Sequence, residues 1–205
     1  MEILFIVGVG TNIGKTYTVS QLLKNDLKNN INAGVIKPVE TGSETFEKGY
    51  INSDSYIYSK LLNLKINEIN KYFFKKPYSP HLAAQYDGVE IDIELIKQII
   101  DLNAKKYDKL YIEGAGGLIV PYNTEYFTYL DLIETYKNRS KVIVITNNIL
   151  GTINTTMLTI MALQSKGIII DKIFYNMIDK NTDDNITINN MKSIEDLSKI
   201  EVYKI

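Results

Sequence analysis

The feature that most constrains the fold of this chain is a glycine-rich segment near its start, residues 8–16, with the sequence GVGTNIGKT. A run of apolar residues at 4–7 comes directly before it and predicts a buried strand, and the residues after it predict a helix. Glycine tolerates the backbone angles of a tight turn, and the free N–H groups of such a turn and of a helix N-terminus bind anions. The segment therefore predicts a nucleotide-phosphate site in which Lys15 reaches the terminal phosphates and the Thr16 hydroxyl holds Mg²⁺. Five residues, instead of the usual four, separate its first and last glycines, so the loop is a variant, and an ordinary turn with an exposed lysine is the alternative.

The composition argues against several other kinds of site. The 205 residues carry a net charge of −1, which implies no general attraction to nucleic acid or to an anionic membrane. The chain has no cysteine and a single histidine, His81, which excludes disulfides, thiolate sites and a histidine-rich zinc site. Arg139 is the single arginine, so phosphate charge has to be met by lysines, backbone N–H groups and metal. No run approaches the roughly 20 apolar residues of a membrane span, and the N-terminus is too acidic for a signal peptide, so we expect one cytoplasmic domain over residues 1–205.

Apolar strand patterns alternate with helical patterns along the whole chain. Besides the first strand, strands are predicted at 33–36, 109–113, 142–145 and 170–175. Helices are predicted at 15–29, 54–63, 81–86, 93–104, 129–136, 153–165 and 185–198, with Ser53 and Asp92 as caps of two of them. Residues 38–53 are predicted as a loop and 64–80 as irregular, and the tyrosines as half-buried packing residues. This order predicts an α/β fold with a mostly parallel central sheet and helices on both faces.

Polar residues stand at the carboxyl ends of the predicted strands. In chain order these ends carry the phosphate loop, Lys37, Glu113, residues 146–148 and Asn176. Ligands of an open parallel sheet bind beyond the carboxyl ends of its strands. We therefore expect one site to be formed at this edge.

Three charged residues are candidates for chemistry at that edge. Glu113 ends an apolar strand, where a carboxylate is costly unless it is paired or bound to metal, so it is a candidate Mg²⁺ ligand beside Thr16, with a helix cap or a surface acid as the alternative. Asp54 could be a second ligand or simply a first-turn acid that interacts with the helix dipole. Lys37 could hold a second anion or stabilise a developing charge.

Weaker signals lie outside these residues. Thr41 could be a simple turn residue. His81 follows a Ser-Pro pair, and a structural or substrate-lining role is favoured over that of a general base. The helix start at Gly151, Thr152, Ile153 and Asn154 offers free N–H groups to a carboxylate or phosphate, with an ordinary cap as the alternative.

Taken together, these segments resemble the dethiobiotin synthetase family. The resemblance covers nearly the whole chain and rests on GTNIGKT at 10–16, KPV at 37–39, TG at 41–42, NSD at 52–54, SPH at 79–81, EGAGG at 113–117, LGTIN at 150–154 and Asn176. The Lys-Pro-Val and Glu-Gly-Ala-Gly-Gly pair at this separation is specific to the family, whereas the phosphate loop alone is not. The resemblance implies a single-domain P-loop NTPase fold.

The resemblance also implies an activity, the ATP-dependent carboxylation and ring closure of 7,8-diaminopelargonic acid with CO₂ or bicarbonate as the carbon source. One amine takes up CO₂ as a carbamate, the carbamate oxygen attacks the γ-phosphate of ATP, and ADP leaves. The second amine then displaces phosphate from the mixed anhydride and closes the ring of dethiobiotin. The family implies a homodimer, Mg²⁺ as cofactor and ATP as co-substrate.

Individual roles follow from the same resemblance. Lys37, Lys15 and Thr11 are implied as catalytic residues. The implied ATP-binding residues are Asn12, Ile13, Gly14, Lys15, Thr16, Tyr17, Asp54, Glu113, Gly114, Ala115, Gly116 and Asn176, the last at the adenine edge. Mg²⁺ would be held by Thr16, Asp54 and Glu113. Thr41 and Lys37 would contact the diamine end of the substrate, and Gly151, Thr152, Ile153 and Asn154 its carboxylate, across the dimer.

Some residues depart from the family pattern. The family often has an acidic residue at the position of Gly10 and Glu at that of Asn12. Many members also continue beyond the position of Ile205 with a Pro-containing segment over the adenine, so we expect weaker adenine contacts and looser selection among nucleoside triphosphates.

Two other classes of P-loop protein are the rivals. Amidating P-loop ligases need a glutamine-handling domain, for which 205 residues leave no room. Partitioning-type ATPase switches usually carry a lysine at the position of Gly10 and often end in a basic amphipathic helix, whereas this sequence ends in EVYKI. Both features argue against a switch.

Overall fold

The computed structural model of the protein describes residues 1–42, 53–178 and 183–205. The strands are β1 Glu2–Gly8, β2 Ala33–Ile36, β3 Val39–Thr41, β4 Tyr72–Phe74, β5 Lys109–Gly117, β6 Ser140–Asn147, β7 Ile170–Asn176 and β8 Val202–Lys204. The helices are α1 Lys15–Lys28, α2 Asp54–Leu62, α3 Ile66–Ile69, α4 Pro80–Tyr86, α5 Ile93–Lys106, α6 Tyr129–Tyr136, α7 Thr152–Ser165 and α8 Asp184–Ser198. The predicted helices and strands are confirmed, most of them to within two residues at each end.

Six of these strands form one sheet in the order β2-β5-β1-β6-β7-β8, and every recorded pair in it is parallel. Strand β1 is central, and its side chains alternate between the two faces. Ile3, Phe5 and Val7 enter one apolar core, which α5, α6, α7 and α8 cover. Leu4 and Ile6 enter a second core, which α1 and α2 cover. The predicted parallel sheet with helices on both faces is therefore confirmed.

Two predictions about the chain between β2 and α4 are wrong. Residues 39–41, predicted as loop, form β3, and the stretch predicted as irregular contains α3 and β4. Strands β3 and β4 pair in parallel as a small separate sheet. Elements of three or four residues are too short to show a periodicity, so they are defined by the tertiary pairing. The rest of the predicted loop, residues 43–52, lies outside the described residues.

Two further strands differ from the prediction. Strand β5 extends four residues past Glu113, through the glycine-rich segment, and Gly117 pairs with Gly8 after an irregularity in the register. The short strand β8, which was not predicted, adds to β7 in parallel.

The prediction that the tyrosines are half-buried is wrong for a large group of them. Six are among the largest fully buried side chains: Tyr58, Tyr111, Tyr122, Tyr129, Tyr136 and Tyr175. A buried phenol needs a partner for its hydroxyl, and Tyr129 donates to the carbonyl of Ile112 at 2.7 Å.

Among the described residues, no helix is both long and apolar enough to cross a membrane.

Candidate active site

The loop between β1 and α1 forms a cradle of backbone N–H groups. Asn12 and Gly14 have positive φ angles of 57° and 88°, which turn the backbone back on itself. The first hydrogen bond of α1 runs from the N–H of Thr18 to the carbonyl of Gly14, at 2.9 Å. The N–H groups of residues 15–17 therefore precede the hydrogen-bonding pattern of the helix and are available to an anion.

Asn176, at the end of β7, holds this loop from the side. Its Nδ2 donates to the carbonyl of Ile13 at 3.0 Å. A Cβ atom at Gly14 would lie 1.6 Å from that nitrogen, so the position requires glycine for space as well as for its φ angle. The structure thus gives Asn176 a contact with the phosphate loop, in addition to the adenine contact expected from sequence.

Lys15 lies folded over the loop, with its Nζ donating to the carbonyl of Gly10 at 2.9 Å. Burial lowers the pKa of Lys15 to about 8, and the nearby Glu113 carboxylate only partly opposes this. A lysine that is stripped of water and only partly compensated is suited to receive phosphate oxygens, which would restore its preference for the charged form.

Lys37, at the end of β2, lies between two carboxylates. Its Nζ donates to Glu113 Oε1 at 2.7 Å and also to Asp54 Oδ2. Burial alone would lower the pKa of Lys37, but the charges of Glu113, Asp54 and Glu40 outweigh it and raise the pKa. Burial would likewise raise the pKa of Asp54, yet the Lys37 ammonium holds it below its usual value. Both shifts favour the charged forms of Lys37 and Asp54.

Two residues that support these carboxylates were missed from sequence. The buried Glu40 side chain accepts hydrogen bonds from the backbone N–H groups of Asp54 at 2.7 Å and Ser55 at 3.0 Å, so it holds the start of α2 beside β3. Tyr58 donates its hydroxyl to Glu113 Oε2. Tyr58 stands one helical turn after Asp54, and this i, i+4 spacing was the one sequence signal that placed it on the same face.

The loop, Lys37 and both carboxylates face a single cavity of about 390 Å³. Its lining is polar and consists of Thr11, Asn12, Ile13, Gly14, Lys15, Thr16, Lys37, Thr41, Asp54, Glu113, Ala115 and Gly116. A neighbouring chamber of about 410 Å³ shares Thr11, Asn12, Thr41, Ala115 and Gly116 with it and adds Pro77, Tyr78, Pro80 and Val120. The site is thus a polar chamber beside a more apolar one.

The side chains of the other residues predicted for the site do not line the polar chamber. The side chain of Tyr17 is exposed, so only its backbone N–H belongs to the cradle. Gly114 lies against the ring of Tyr129, from which a Cβ at this position would be only 2.4 Å away. Within the described part of the chain, residues 151–154 line neither chamber. His81 lines a separate cavity with Tyr122, and its own backbone N–H donates to the carbonyl of Pro121 at 3.3 Å.

The residues predicted to hold Mg²⁺ suit that ion. Thr16, Asp54 and Glu113 offer a hydroxyl and two carboxylates, and the Thr16 hydroxyl lies 3.1 Å from Glu113 Oε1. Mg²⁺ in phosphate sites commonly uses one or two carboxylates together with phosphate oxygens and water. No group of three or more His, Cys, Asp or Glu side chains in the described ranges could hold a metal. The cationic position between the two carboxylates is taken by the Lys37 ammonium.

Comparisons with known proteins show which protein family the chain belongs to. A family model described as an AAA domain matches residues 2–203. An ATP-dependent dethiobiotin synthetase of Clostridium botulinum (strain Langeland) is 36% identical over 205 residues, which cover 98% of this chain and 88% of that protein. The enzyme of the same name from Methanococcus vannielii is 38% identical over 204 residues, 98% of this chain and 92% of its own.

The chain belongs to the dethiobiotin synthetase family. The family comprises ATP-dependent ligases, and each of these two matches covers 98% of this chain.

Solved structures show the same P-loop NTPase fold at lower sequence similarity. The MinC:MinD cell division protein complex of Aquifex aeolicus matches with a TM-score of 0.58 and 14% identity, over 98% of this chain and 79% of that one. Hydrogenase maturation factor HypB from Archaeoglobus fulgidus also matches with a TM-score of 0.58 and 14% identity, over 100% of this chain and 81% of that one. At such identities the likeness describes the fold alone, so the resemblance to MinD does not favour a partitioning-type switch.

Proposed function

We propose that this protein is a dethiobiotin synthetase that uses ATP to carboxylate 7,8-diaminopelargonic acid and close its ring. The observation that carries the proposal is that Lys37 faces the same cavity as the phosphate loop. A carbamate held by the Lys37 ammonium would lie beside a γ-phosphate held by Lys15 and the N–H groups of the loop. Attack of the carbamate oxygen on that phosphorus would release ADP, and attack of the second amine on the carbonyl carbon would release phosphate.

The residues of the polar chamber would act by position and charge. Lys37 would stabilise the negative charge of the carbamate and of the mixed anhydride, and Lys15 that of the transferring phosphoryl group. Thr16, Asp54 and Glu113 would hold Mg²⁺, which neutralises charge on the β- and γ-phosphates when bound. Asp54 and Glu113 would thus hold the ion, while the Lys37 ammonium would hold the carbamate.

The second chamber supports the choice of a substrate with an aliphatic chain. Its walls include Pro77, Tyr78, Pro80 and Val120, while Thr41 lies where the two chambers meet. A diamine could therefore place its amines near Lys37 and Thr41 and its methylene chain against the apolar wall.

A homodimer is part of the proposal, because the helix start assigned to the substrate carboxylate lies outside both chambers. Large apolar side chains are exposed on and before α7: Ile149, Leu150, Leu158 and Met161. A second copy packed on this surface would cover them and would bring residues 151–154 to the partner's site. A Leu150→Asp variant should shift the molecular mass in solution to that of a monomer and raise KM for the diamine, and an unchanged dimer with wild-type KM would count against this surface.

The activity is tested with purified protein, ATP, ¹³C-bicarbonate and the diamine. We expect label in the ring carbonyl of dethiobiotin by mass spectrometry, and ADP release that requires both the diamine and bicarbonate. Lys37→Ala should lower ring closure by at least about 10²-fold, the loss typical of removing one electrostatic stabiliser. Its nucleotide affinity should stay within a few-fold of wild type.

Lys141→Ala, at a surface ion pair, is the matched control and should leave both quantities unchanged. ATP hydrolysis that ignores the diamine and responds to lipid or DNA would instead favour a partitioning-type switch. Equal losses of ring closure and nucleotide binding in Lys37→Ala would contradict the role of Lys37.

A further inference from the structure

The two oxygens of the Glu113 carboxylate have different partners. Oε1 accepts from Lys37 Nζ at 2.7 Å and from the Thr16 hydroxyl at 3.1 Å, and it therefore faces the polar chamber. Oε2 accepts from the hydroxyl of Tyr58 on the other side. Only one oxygen of this carboxylate is thus directed at the partners that surround the nucleotide site.

Tyr58 lies in the interior of the protein. It is fully buried, and it belongs to the apolar core under α1 and α2, which includes Leu4, Ile6 and Val19. It does not line either chamber. Any influence of Tyr58 on the reaction therefore has to pass through the groups that its hydroxyl contacts, which are the Glu113 carboxylate and the Thr16 hydroxyl.

The hydroxyl of Tyr58 is the donor in this contact, because a carboxylate oxygen can only accept a hydrogen bond.

A carboxylate that binds Mg²⁺ through a single oxygen needs its other oxygen fixed. Mg²⁺ demands near-ideal octahedral geometry with ligand distances of about 2.0–2.1 Å. A carboxylate free to rotate would present its oxygens at varying angles. Hydrogen bonds from outside the ligand shell remove this freedom, and their loss typically costs about 10–100-fold in metal affinity or activity.

We propose that Tyr58 is a positioning residue that fixes Glu113 so that Oε1 alone is presented to Mg²⁺. This inference rests on the proposed function, since it assumes that Glu113 is a ligand of the ion in the nucleotide complex. It adds a residue on α2 to the metal site, and it gives that helix two connections to the site, through Asp54 directly and through Tyr58 indirectly.

The test measures binding and needs no turnover. The dissociation constant of a non-hydrolysable ATP analogue is determined by calorimetry in EDTA and over a series of Mg²⁺ concentrations, which yields the Mg²⁺ affinity of the nucleotide complex. In Tyr58→Phe we expect that affinity to fall by about 10–100-fold, the range for lost outer-shell hydrogen bonds, while the dissociation constant in EDTA stays that of wild type.

Tyr111→Phe is a matched control. Tyr111 is also buried in the same apolar core, and its hydroxyl donates to another carboxylate, Asp26 Oδ2, at 2.6 Å. Both variants remove one buried phenol–carboxylate hydrogen bond and should lower the melting temperature to a similar degree. Only Tyr58→Phe should change the Mg²⁺ affinity.

A double variant ties the effect to Glu113. In a Glu113→Gln background, Tyr58→Phe should cause no further loss of Mg²⁺ affinity, because the group that Tyr58 orients is already altered. A wild-type Mg²⁺ affinity in Tyr58→Phe, or equal losses in Tyr58→Phe and Tyr111→Phe, would overturn the role of Tyr58 while leaving the metal site standing. No effect of Mg²⁺ on nucleotide binding by the wild-type protein would overturn the metal site, and this inference with it.

Discussion

Replacing Lys37 by methionine should destabilise the protein even without any ligand. The substitution keeps an unbranched side chain and removes the ammonium between Asp54 and Glu113. The Glu113 side chain is 1% exposed, so its charge cannot be solvated in the folded protein, whereas Asp54, at 37%, keeps part of its contact with water. Glu113 would retain the hydrogen bonds from Thr16 and Tyr58.

The size of the expected destabilisation follows from the difference in exposure between Glu113 and Asp54. Removing one partner of a buried ion pair costs about 3–5 kcal/mol, and the exposure of Asp54 places this case near 3 kcal/mol. For a chain of this size, 1 kcal/mol corresponds to about 2–4 °C in melting temperature. We therefore expect Lys37→Met to melt about 6–12 °C below wild type in EDTA, measured by calorimetry or circular dichroism.

Mg²⁺ adds a second expectation. If Asp54 and Glu113 hold Mg²⁺ as proposed, removing the ammonium between them would free these ligands, so Mg²⁺ should raise the melting temperature of Lys37→Met more than that of wild type. The control is Lys141→Met, which breaks an exposed pair with Asp171 at 3.2 Å and should cost no more than about 1 kcal/mol. A Lys37→Met protein as stable as Lys141→Met would show that the buried ion pair of Lys37 and Glu113 does not stabilise the fold.

Three further predictions concern the surroundings of the site. Gly114→Ala should lower the free energy of unfolding by about 1–3 kcal/mol in urea titrations, since the new Cβ would lie 2.4 Å from the buried ring of Tyr129; an unchanged midpoint would contradict this overpacking. Glu40→Ala leaves two backbone N–H groups at the start of α2 without their acceptor. We expect the free energy of unfolding to fall by about 1–3 kcal/mol and Mg²⁺ binding through Asp54 to weaken. Wild-type stability and metal affinity would refute the role of Glu40. Asn176→Ala removes the donor to the phosphate loop and should raise the dissociation constant of ADP about 5–10-fold, as loss of a hydrogen bond worth about 1–1.4 kcal/mol would, with wild-type affinity as the contrary result.

Much of the fold could be predicted because its long elements carry their own signals. An example is α5, where Asp92 caps the helix by accepting from the N–H of Leu95 at 3.0 Å, and apolar residues repeat with helical spacing. The strands of the central sheet are equally predictable, since buried parallel strands appear in the sequence as continuous apolar runs. The short strands β3, β4 and β8 are not, because three residues give no periodicity and their pairing partners are distant in sequence.

The candidate site shows the same division. Lys37, Glu113 and the phosphate loop could be placed at one edge from sequence, because they follow strands of one parallel sheet. Their mutual geometry could not, and the contact between Lys37 and Glu113 depends on β5 lying between β1 and β2. Nothing local in the sequence specifies that strand order.

The sequence by itself thus determined the class of fold, the phosphate loop and the family to which the chain belongs, because each is indicated by motifs and periodicity within short segments of the chain. Only the tertiary structure decided that Glu40 supports Asp54 and that Tyr58 holds one oxygen of Glu113. These contacts join residues far apart in the chain, and the burial that makes them strong exists only once the sheet and its helices have packed.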